Sequence, residues 1–256
     1  MHGSHYGQID SVDGHDVITQ LLAPWPEDAA ATWKLQEKFK PVPLAEAHLM
    51  SPCAPGKIVC VGRNYKDHAS ELGNEIPKEP LVFFKPVSSV IAPGAAIQMP
   101  SAMLTQRVDY EGELAVVIFR HCRNLTEADD VRSYIRGYTI VNDVTARDLQ
   151  KTDGQWTRAK GFDTFCPCGP IVSDEIDPWA GVEVVTRLNG VEKQRGNTRQ
   201  FIFDLGVVLR YITQFMTLEP GDLIPTGTPS GVSPMKKGDV VEVEIEGLGV
   251  LRNPVA

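Results

Sequence analysis

Residues 108–119 of the chain read VDYEGELAVVIF, in which three acidic residues lie within five positions and an apolar run follows directly. The run is short and rich in β-branched residues, which predicts a buried strand. Side chains alternate along a strand, so Glu111 and Glu113 are expected to point to the same face. Gly112 between them has no side chain and allows a bend or the close approach of a ligand.

Two carboxylates at the mouth of a buried strand repel each other unless a positive charge lies between them. Mg²⁺ and Mn²⁺ prefer carboxylate oxygens, so the pair favours a hard divalent cation. The alternative is that Glu111 and Glu113 are both solvated at a strand edge. From this segment alone the solvated alternative stays open, because a motif this short often matches by chance.

The composition limits the class of protein. The chain has 256 residues, of which 42% are hydrophobic and 23% charged, enough for one large domain or a main domain with a small companion. A net charge of −8 argues against nucleic acid or an anionic membrane as the main partner. No apolar run approaches the roughly 18 residues of a membrane span, and the N-terminus lacks a signal sequence, so we expect a cytoplasmic protein.

The five cysteines are odd in number, and Cys60 lies in an apolar strand-like run. We therefore expect no disulfide. Cys166-Pro167-Cys168 has no second Cys or His pair at zinc spacing, which favours buried structural thiols.

The first part of the chain differs from the remainder. Residues 1–50 are expected to form a small N-terminal β appendage and linker, with a hairpin over 6–22 that turns at Asp13-Gly14. The prolines of 24–43 show no strong periodicity. Residues 51–256 are expected to form the catalytic domain.

This second part is dense in strand and turn patterns. Strands are predicted over 57–62 and 80–85, and hairpins over 184–193 and 238–250. Helices are few and are predicted over 126–135 and 203–215. The fold class is therefore mostly β (α+β), with short helices attached.

Four further segments carry polar side chains suited to chemistry. Asp143 ends a predicted strand and can supply a third carboxylate; alternatively, Asp143 or Thr145 only caps the following helix. On that helix Arg147 and Gln150 share a face, and Arg147 can bind a substrate carboxylate. His68 and Glu71 share a helical face as a base and its orienting acid, or else form a surface pair.

Lys160 lies among small and aromatic residues and can stabilise an anion, or else be a solvated loop lysine. The segment 226–231, TGTPSG, can bind a carboxylate through hydroxyls and backbone N–H groups, or else be a plain turn.

Together these segments resemble the fumarylacetoacetate hydrolase family. The motifs that carry the resemblance occur in family order over roughly residues 55–256: GRNYKDHASELG at 62–73, FFKP at 83–86, DYEGELAVVI at 109–118, GYTIVNDVTARDLQ at 137–150, KGFD at 160–163 and TGTPSGV at 226–232. The resemblance implies a mixed β-roll with short helices, a homodimer and bound Mg²⁺ or Mn²⁺. The short N-terminal part fits the smaller bacterial acylpyruvase-like or 2-hydroxyhepta-2,4-diene-1,7-dioate isomerase-like branch.

The resemblance also implies site roles by position. The metal ligands would be Glu111, Glu113 and Asp143. The catalytic residues would be His68, Glu71 and Lys160. The substrate-binding residues would be Arg63, Tyr65, Lys85, Arg147, Gln150 and Thr228. The larger animal members use an additional upstream Asp ligand, for which Asp109 is no clear counterpart.

The activity that the resemblance implies is hydrolysis of the C3–C4 bond of acylpyruvate-type 2,4-dioxo acids, such as fumarylpyruvate or acetylpyruvate, through a metal-bound pyruvate enolate. His68, oriented by Glu71, would activate the water. The alternatives are isomerisation or decarboxylation of 2-hydroxyhepta-2,4-diene-1,7-dioate-type aromatic-degradation intermediates, or decarboxylation of oxaloacetate. A non-catalytic protein that binds 2-oxo acids is a further alternative, because fold alone does not establish function.

Overall fold

The structure is a computed structural model that describes residues 4–22, 35–71 and 76–256. Within it the chain forms two compact units, Met1–Met50 and Ser51–Ala256. No helix among the described residues is long and apolar enough to cross a membrane.

The first unit contains a three-stranded antiparallel sheet, formed by β1 (Tyr6–Val12), β2 (His15–Leu22) and β3 (Val42–Pro43), and a 3₁₀ turn, Leu44–Glu46. The predicted hairpin is confirmed. Asp13 and Gly14 both have positive φ at its turn, as a tight two-residue connection requires. Residues 23–34 of the predicted linker lie outside the described residues.

The second unit is built mainly from strands. They are β4 (Ile58–Gly62), β5 (Leu81–Lys85), β6 (Val90–Ile91), β7 (Val108–Asp109), β8 (Gly112–Ile118), β9 (Ile135–Asn142), β10 (Thr145–Ala146), β11 (Cys166–Ser173), β12 (Glu183–Leu188), β13 (Val191–Asn197), β14 (Leu223–Pro225), β15 (Val240–Ile245) and β16 (Gly249–Pro254). The helices are α1 (Lys66–Glu71), α2 (Arg147–Thr152), α3 (Thr157–Lys160) and α4 (Leu205–Phe215), with 3₁₀ turns at Val87–Ser89, Val131–Tyr134 and Thr198–Gln200.

A seven-stranded sheet in the order β5-β4-β14-β8-β9-β11-β6 is the main element of this unit. It is mixed, because the pairs β14–β4 and β11–β6 are parallel and the other pairs antiparallel. A four-stranded antiparallel sheet, β13-β12-β15-β16, and the short pair β7–β10 complete it. The expected mostly β, α+β fold is confirmed.

Strand β8 is buried along its whole length. Leu114 and Val116 belong to the larger apolar core, whereas Ala115 and Val117 belong to a second apolar cluster. Because both faces of β8 are covered, neither face needs polar side chains, and the apolar run is therefore unbroken. The second cluster also holds four of the five free cysteines, Cys53, Cys60, Cys166 and Cys168.

One predicted helix is confirmed and one is wrong. Helix α4 has its N-cap at Asp204, whose carboxylate accepts a hydrogen bond from the Val207 N–H at 2.9 Å. The helix predicted over 126–135 is reduced to the turn Val131–Tyr134, and β9 begins at Ile135. Thr126 donates its N–H and its hydroxyl to the Asp129 carboxylate in a local turn, and pairing of β9 with β8 begins at Ile135.

Gly112 is required by packing between the two sheets, and not by a bend or a ligand. A Cβ at this position would lie 2.1 Å from Thr186 Oγ1 and 2.9 Å from Val243 Cγ1. These side chains come from β12 and β15 and lie directly against the start of β8.

We therefore expect Gly112→Ala to lower the free energy of unfolding by about 1–3 kcal/mol, the usual cost of overpacking. The matched control is Gly154→Ala, since a Cβ at Gly154 would meet nothing within 4 Å. Urea denaturation measures both variants. Equal stability of the two would contradict the packing explanation.

Candidate metal centre and active-site cavity

Three acidic side chains meet where β8 begins and β9 ends. The antiparallel register places Gly112 opposite Asn142, and the Asp143 N–H donates to the Glu111 carbonyl at 2.8 Å. Glu111, Glu113 and Asp143 are all buried, and each offers an oxygen within 4.8 Å of the others. Strand pairing thus brings together the residues that the sequence predicted as metal ligands.

Buried cations neutralise two of these acids. Lys160 Nζ donates to Glu111 Oε2 at 2.8 Å and to Asp143 Oδ2 at 2.6 Å. Arg147 Nη2 donates to Glu111 Oε1 at 2.5 Å, and Lys85 Nζ to Asp143 Oδ1 at 2.6 Å. Both oxygens of each carboxylate therefore accept a hydrogen bond from a cation, which makes their burial possible.

Glu113 is different, because no lysine or arginine among the described residues forms an ion pair with it. Its Oε2 accepts a hydrogen bond from the Gly227 N–H at 2.9 Å. Burial and the charges of Asp143 and Glu111 raise the pKa of Glu113 well above its usual value. A divalent cation would supply the missing positive charge, and three buried carboxylates suit a hard ion. The residues present therefore fit a metal.

The charge of Glu111 is stabilised by its partners. Burial alone would raise the pKa of its carboxyl group, but Lys160 and Arg147 outweigh burial and hold that pKa below its usual value. Glu111 is therefore an anion at neutral pH.

Arg147 is held in place by an acid to which the sequence assigned no role. Its Nε donates to Asp109 Oδ2 at 2.9 Å, and Arg107 also binds the Asp109 carboxylate. Helix α2 begins at Arg147, and no side chain caps it, so the alternative that Asp143 serves as its cap is wrong. Arg147 Nη1 also donates to Gln150 Oε1 at 2.6 Å.

A cavity of about 430 Å³ opens beside the three acids. Its lining includes the predicted residues Arg63, His68, Glu71, Glu111, Glu113, Asp143, Arg147, Gln150, Lys160 and Thr228. Gly227, from the segment 226–231 that is predicted to bind a carboxylate, also lines the cavity. No role is predicted from the sequence for the other lining residues, Val61, Gly62, Phe83, Lys151 and Trp156. Phe83 lies within the motif FFKP, and Trp156 lies shortly before the motif KGFD, so the sequence offered a signal that both line the site.

His68 and Glu71 share a face of α1, as predicted. His68 Nδ1 lies 3.3 Å from Glu71 Oε2, and the Gly231 N–H donates to the same carboxylate. Burial lowers the pKa of His68 despite the opposing effects of Glu111 and Glu71. His68 is therefore neutral at pH 7, the form in which imidazole accepts a proton.

Two residues predicted to bind substrate do not line this cavity. Lys85 is fully buried behind Asp143, where its ammonium group also donates to the Val144 carbonyl at 3.1 Å. Tyr65 is buried edge-on against Phe201, with ring centres 5.0 Å apart. Lys85 therefore positions a carboxylate, and Tyr65 packs in the interior. Both residues lie in segments that match the family motifs. Whether their side chains reach the cavity, however, depends on how distant elements pack around them.

We expect Lys85→Met to lower the free energy of unfolding by about 3–5 kcal/mol, because it leaves Asp143 Oδ1 buried without its cation. The control is Arg252→Met. Arg252 Nε lies 3.2 Å from Glu242 Oε1 and its side chain is 60% exposed, so its loss should cost below about 1 kcal/mol. Urea denaturation distinguishes the two, and equally small losses would contradict the positioning role.

We expect Glu113→Gln to weaken Mn²⁺ binding at least about a hundredfold, because an amide replaces a charged ligand of nearly the same shape. Calorimetric titration of the purified protein measures the affinity. Glu127→Gln, which alters an 87% exposed side chain, is the control. Unchanged Mn²⁺ affinity would remove Glu113 from the ligand set.

The chain is similar to known proteins over most of its length. The family model described as fumarylacetoacetate (FAA) hydrolase C-terminal matches residues 57–256. The solved structure of 5-carboxymethyl-2-hydroxymuconate delta-isomerase from Mycobacterium smegmatis is 40% identical, with a TM-score of 0.83 over 98% of this chain and 94% of that one.

Two further proteins are similar at the same level of identity. The 2-hydroxyhepta-2,4-diene-1,7-dioate isomerase from Mycobacterium marinum is 40% identical, with a TM-score of 0.80 over 99% of this chain and 98% of that one. The human protein named oxaloacetate tautomerase FAHD2A, mitochondrial, is 40% identical over 226 residues, which is 84% of this chain and 71% of its own. The chain belongs to the fumarylacetoacetate hydrolase family.

Proposed function

We propose that the chain is an enzyme that moves a proton at C3 of a 2-oxo acid by way of its enolate, as a tautomerase or isomerase does. The observation that carries the proposal is the buried imidazole of His68 on the wall of the cavity that holds the three acids. The names of three similar proteins, two isomerases and an oxaloacetate tautomerase, support it.

Glu111, Glu113 and Asp143 would hold Mg²⁺ or Mn²⁺. When bound, the cation would supply Lewis-acid stabilisation of charge that develops on the oxygens of the 2-oxo acid. Gln150 and Thr228 line the same cavity and can orient the substrate, and Thr228 is itself fixed by a hydrogen bond from Gln194 at 2.8 Å.

The proton transfer follows from the arrangement of His68. The Glu71 carboxylate can only accept, so His68 Nδ1 carries the hydrogen and Nε2 keeps its lone pair. Nε2 takes the C3 proton, and the electrons of that C–H bond move to the C2 oxygen. Return of the proton to carbon or oxygen gives the keto or enol form. The buried ammonium of Lys160 stabilises the negative charge.

Hydrolysis of acylpyruvates, expected from the sequence, is the second candidate. The same His68–Glu71 pair favours it, because a neutral imidazole held by a carboxylate can equally take a proton from water that attacks the C4 carbonyl. Decarboxylation of oxaloacetate needs no base, so this pair gives it no particular support.

A substrate panel tests the proposal. Purified protein with Mg²⁺ or Mn²⁺, and an EDTA-treated control, would be given oxaloacetate, acetylpyruvate, fumarylpyruvate and a dienol dioate. Ultraviolet absorbance follows the enol, and pyruvate and CO₂ are assayed separately. We expect metal-dependent loss of enol without pyruvate or CO₂. Pyruvate from the acylpyruvates would favour the hydrolase instead, and no reaction with any substrate would contradict both candidates.

His68→Ala should lower the catalysed rate at least about a hundredfold, within the range that acid–base groups contribute. Mn²⁺ binding should be unchanged, which separates a lost base from a damaged centre. Because burial lowers the pKa of His68, the unaltered enzyme should keep its rate as the pH falls towards 6.5 and lose it below that value. Full activity of the variant would exclude His68 as the base.

The family homodimer stays a prediction, and light scattering of the purified protein would test it. The same holds for the expected absence of nucleic-acid binding.

A further inference from the structure

We propose that Gln194 is a positioning residue of the active site, because its side-chain amide fixes the direction in which the Thr228 hydroxyl faces the cavity. Gln194 lies on β13 of the four-stranded sheet, is fully buried and is not among the residues that line the cavity. The proposal rests on the proposed function only in taking this cavity as the place of the reaction. Held by Gln194, the Thr228 hydroxyl can accept a hydrogen bond from a ligand but cannot donate one.

The orientation of the Gln194 amide is determined by its partners. The Gly112 N–H donates to one end of the amide at 3.0 Å, and only an oxygen can accept there. The other end lies 2.7 Å from the Pro229 carbonyl oxygen, which has no hydrogen to give, so this end is the NH₂ group. The same nitrogen, Nε2, lies 2.8 Å from Thr228 Oγ1. Gln194 therefore donates to Thr228.

The Thr228 hydroxyl has a single hydrogen, and two buried partners decide where it points. Oγ1 lies 2.8 Å from the Gly112 carbonyl oxygen, which can only accept, so the hydroxyl hydrogen points to that oxygen. Gln194 Nε2 donates to one lone pair of Oγ1. The second lone pair is all that the hydroxyl can still offer a ligand in the cavity.

These hydrogen bonds form a closed ring beside the three acids. Gly112 donates to Gln194, Gln194 donates to Thr228, and Thr228 donates back to the carbonyl of Gly112. Gly112 lies between Glu111 and Glu113, so the ring includes the backbone that joins two of the acids. Buried hydrogen bonds in such a series strengthen one another, and breaking one of them loosens the others. Gln194 thus connects the second sheet to the cavity wall.

The direction of the Thr228 hydroxyl bears on which ligand group can lie against it. The sequence predicts that the segment 226–231 binds a carboxylate through its hydroxyls, but a carboxylate oxygen has no hydrogen to give to the free lone pair of Thr228. A ligand hydroxyl has one, as in an enol, whereas the keto form of the same compound does not. If Gln194 no longer held it, the hydroxyl could rotate and donate to an anionic ligand, which is the stronger acceptor.

Calorimetry on the Mn²⁺-loaded protein tests the proposal with two small probes. Glycolate has a hydroxyl that can donate, whereas the oxygens of oxalate at neutral pH only accept. Thr228→Val removes the hydroxyl and nearly keeps the shape of the side chain. We expect Thr228→Val to weaken glycolate binding about threefold or more, as the loss of one hydrogen bond does, and to change oxalate binding less than about twofold.

The role of Gln194 is tested by repeating this comparison in the Gln194→Met background. Methionine has a similar length but donates no hydrogen bond, so the Thr228 hydroxyl becomes free to turn to the ligand. In this background Thr228→Val should weaken oxalate binding about threefold or more, an effect that the unaltered background lacks. Lys193→Met, which alters an exposed side chain on the same strand, is the control and should leave the original pattern.

The positioning role is overturned if Thr228→Val weakens both probes equally in the unaltered background or leaves glycolate binding unchanged. It is also overturned if oxalate binding ignores Thr228→Val in both backgrounds. Should Gln194→Met fail to fold, weakened oxalate binding in Thr228→Val alone would overturn it. The expected pattern without conversion of any 2-oxo acid would contradict the proposed function alone. Binding of Mn²⁺ but of neither probe would overturn both.

Discussion

The second unit depends on the burial of three carboxylates beside one another. Two like charges 4 Å apart repel by about 4 kcal/mol in surroundings of intermediate polarity, and burial removes the water that would screen them. Lys85, Lys160 and Arg147 oppose this repulsion from three different elements, the end of β5, the end of α3 and the start of α2. The short helices α2 and α3, which follow β9, thus add positive charge that the sheet alone does not supply in full.

This charge balance is uneven on the side of the cluster that faces the cavity. Glu111 and Asp143 each have both oxygens bound by cations, whereas Glu113 has one backbone N–H. Positive charge is therefore missing on one side of the cluster, next to the cavity, where a bound cation and an anionic substrate can both reach it. The arrangement that stabilises the fold also determines where the metal and the substrate would meet.

Features that depend on local pattern could be predicted from the sequence. Glu111, Glu113 and Asp143 lie at strand ends whose pairing follows from two apolar runs, and the pair His68 and Glu71 needs a single turn of helix. Features that depend on contacts between distant residues could not. Examples are Lys85 against Asp143, 58 residues away, and Thr186 against Gly112. The last residue of the helix expected over 126–135 is a further example, because Ile135 pairs with Ile118 of β8.

The three acids that would hold a metal and the proposed base, His68, are attached to the fold in different ways. Glu113 lies in the central strand β8, Glu111 directly precedes that strand and Asp143 directly follows β9, so the pairing of β8 with β9 fixes their positions. His68 lies on α1, and the Glu71 carboxylate of the same helix accepts a hydrogen bond from the Gly231 N–H. Gly231 is itself closely packed, since a Cβ at this position would lie 2.0 Å from the Lys193 carbonyl oxygen. Small changes in α1 would move the base relative to the substrate without disturbing the acids. If the proposed function holds, the position of this helix would decide between proton transfer and water activation, and the acids would be common to both.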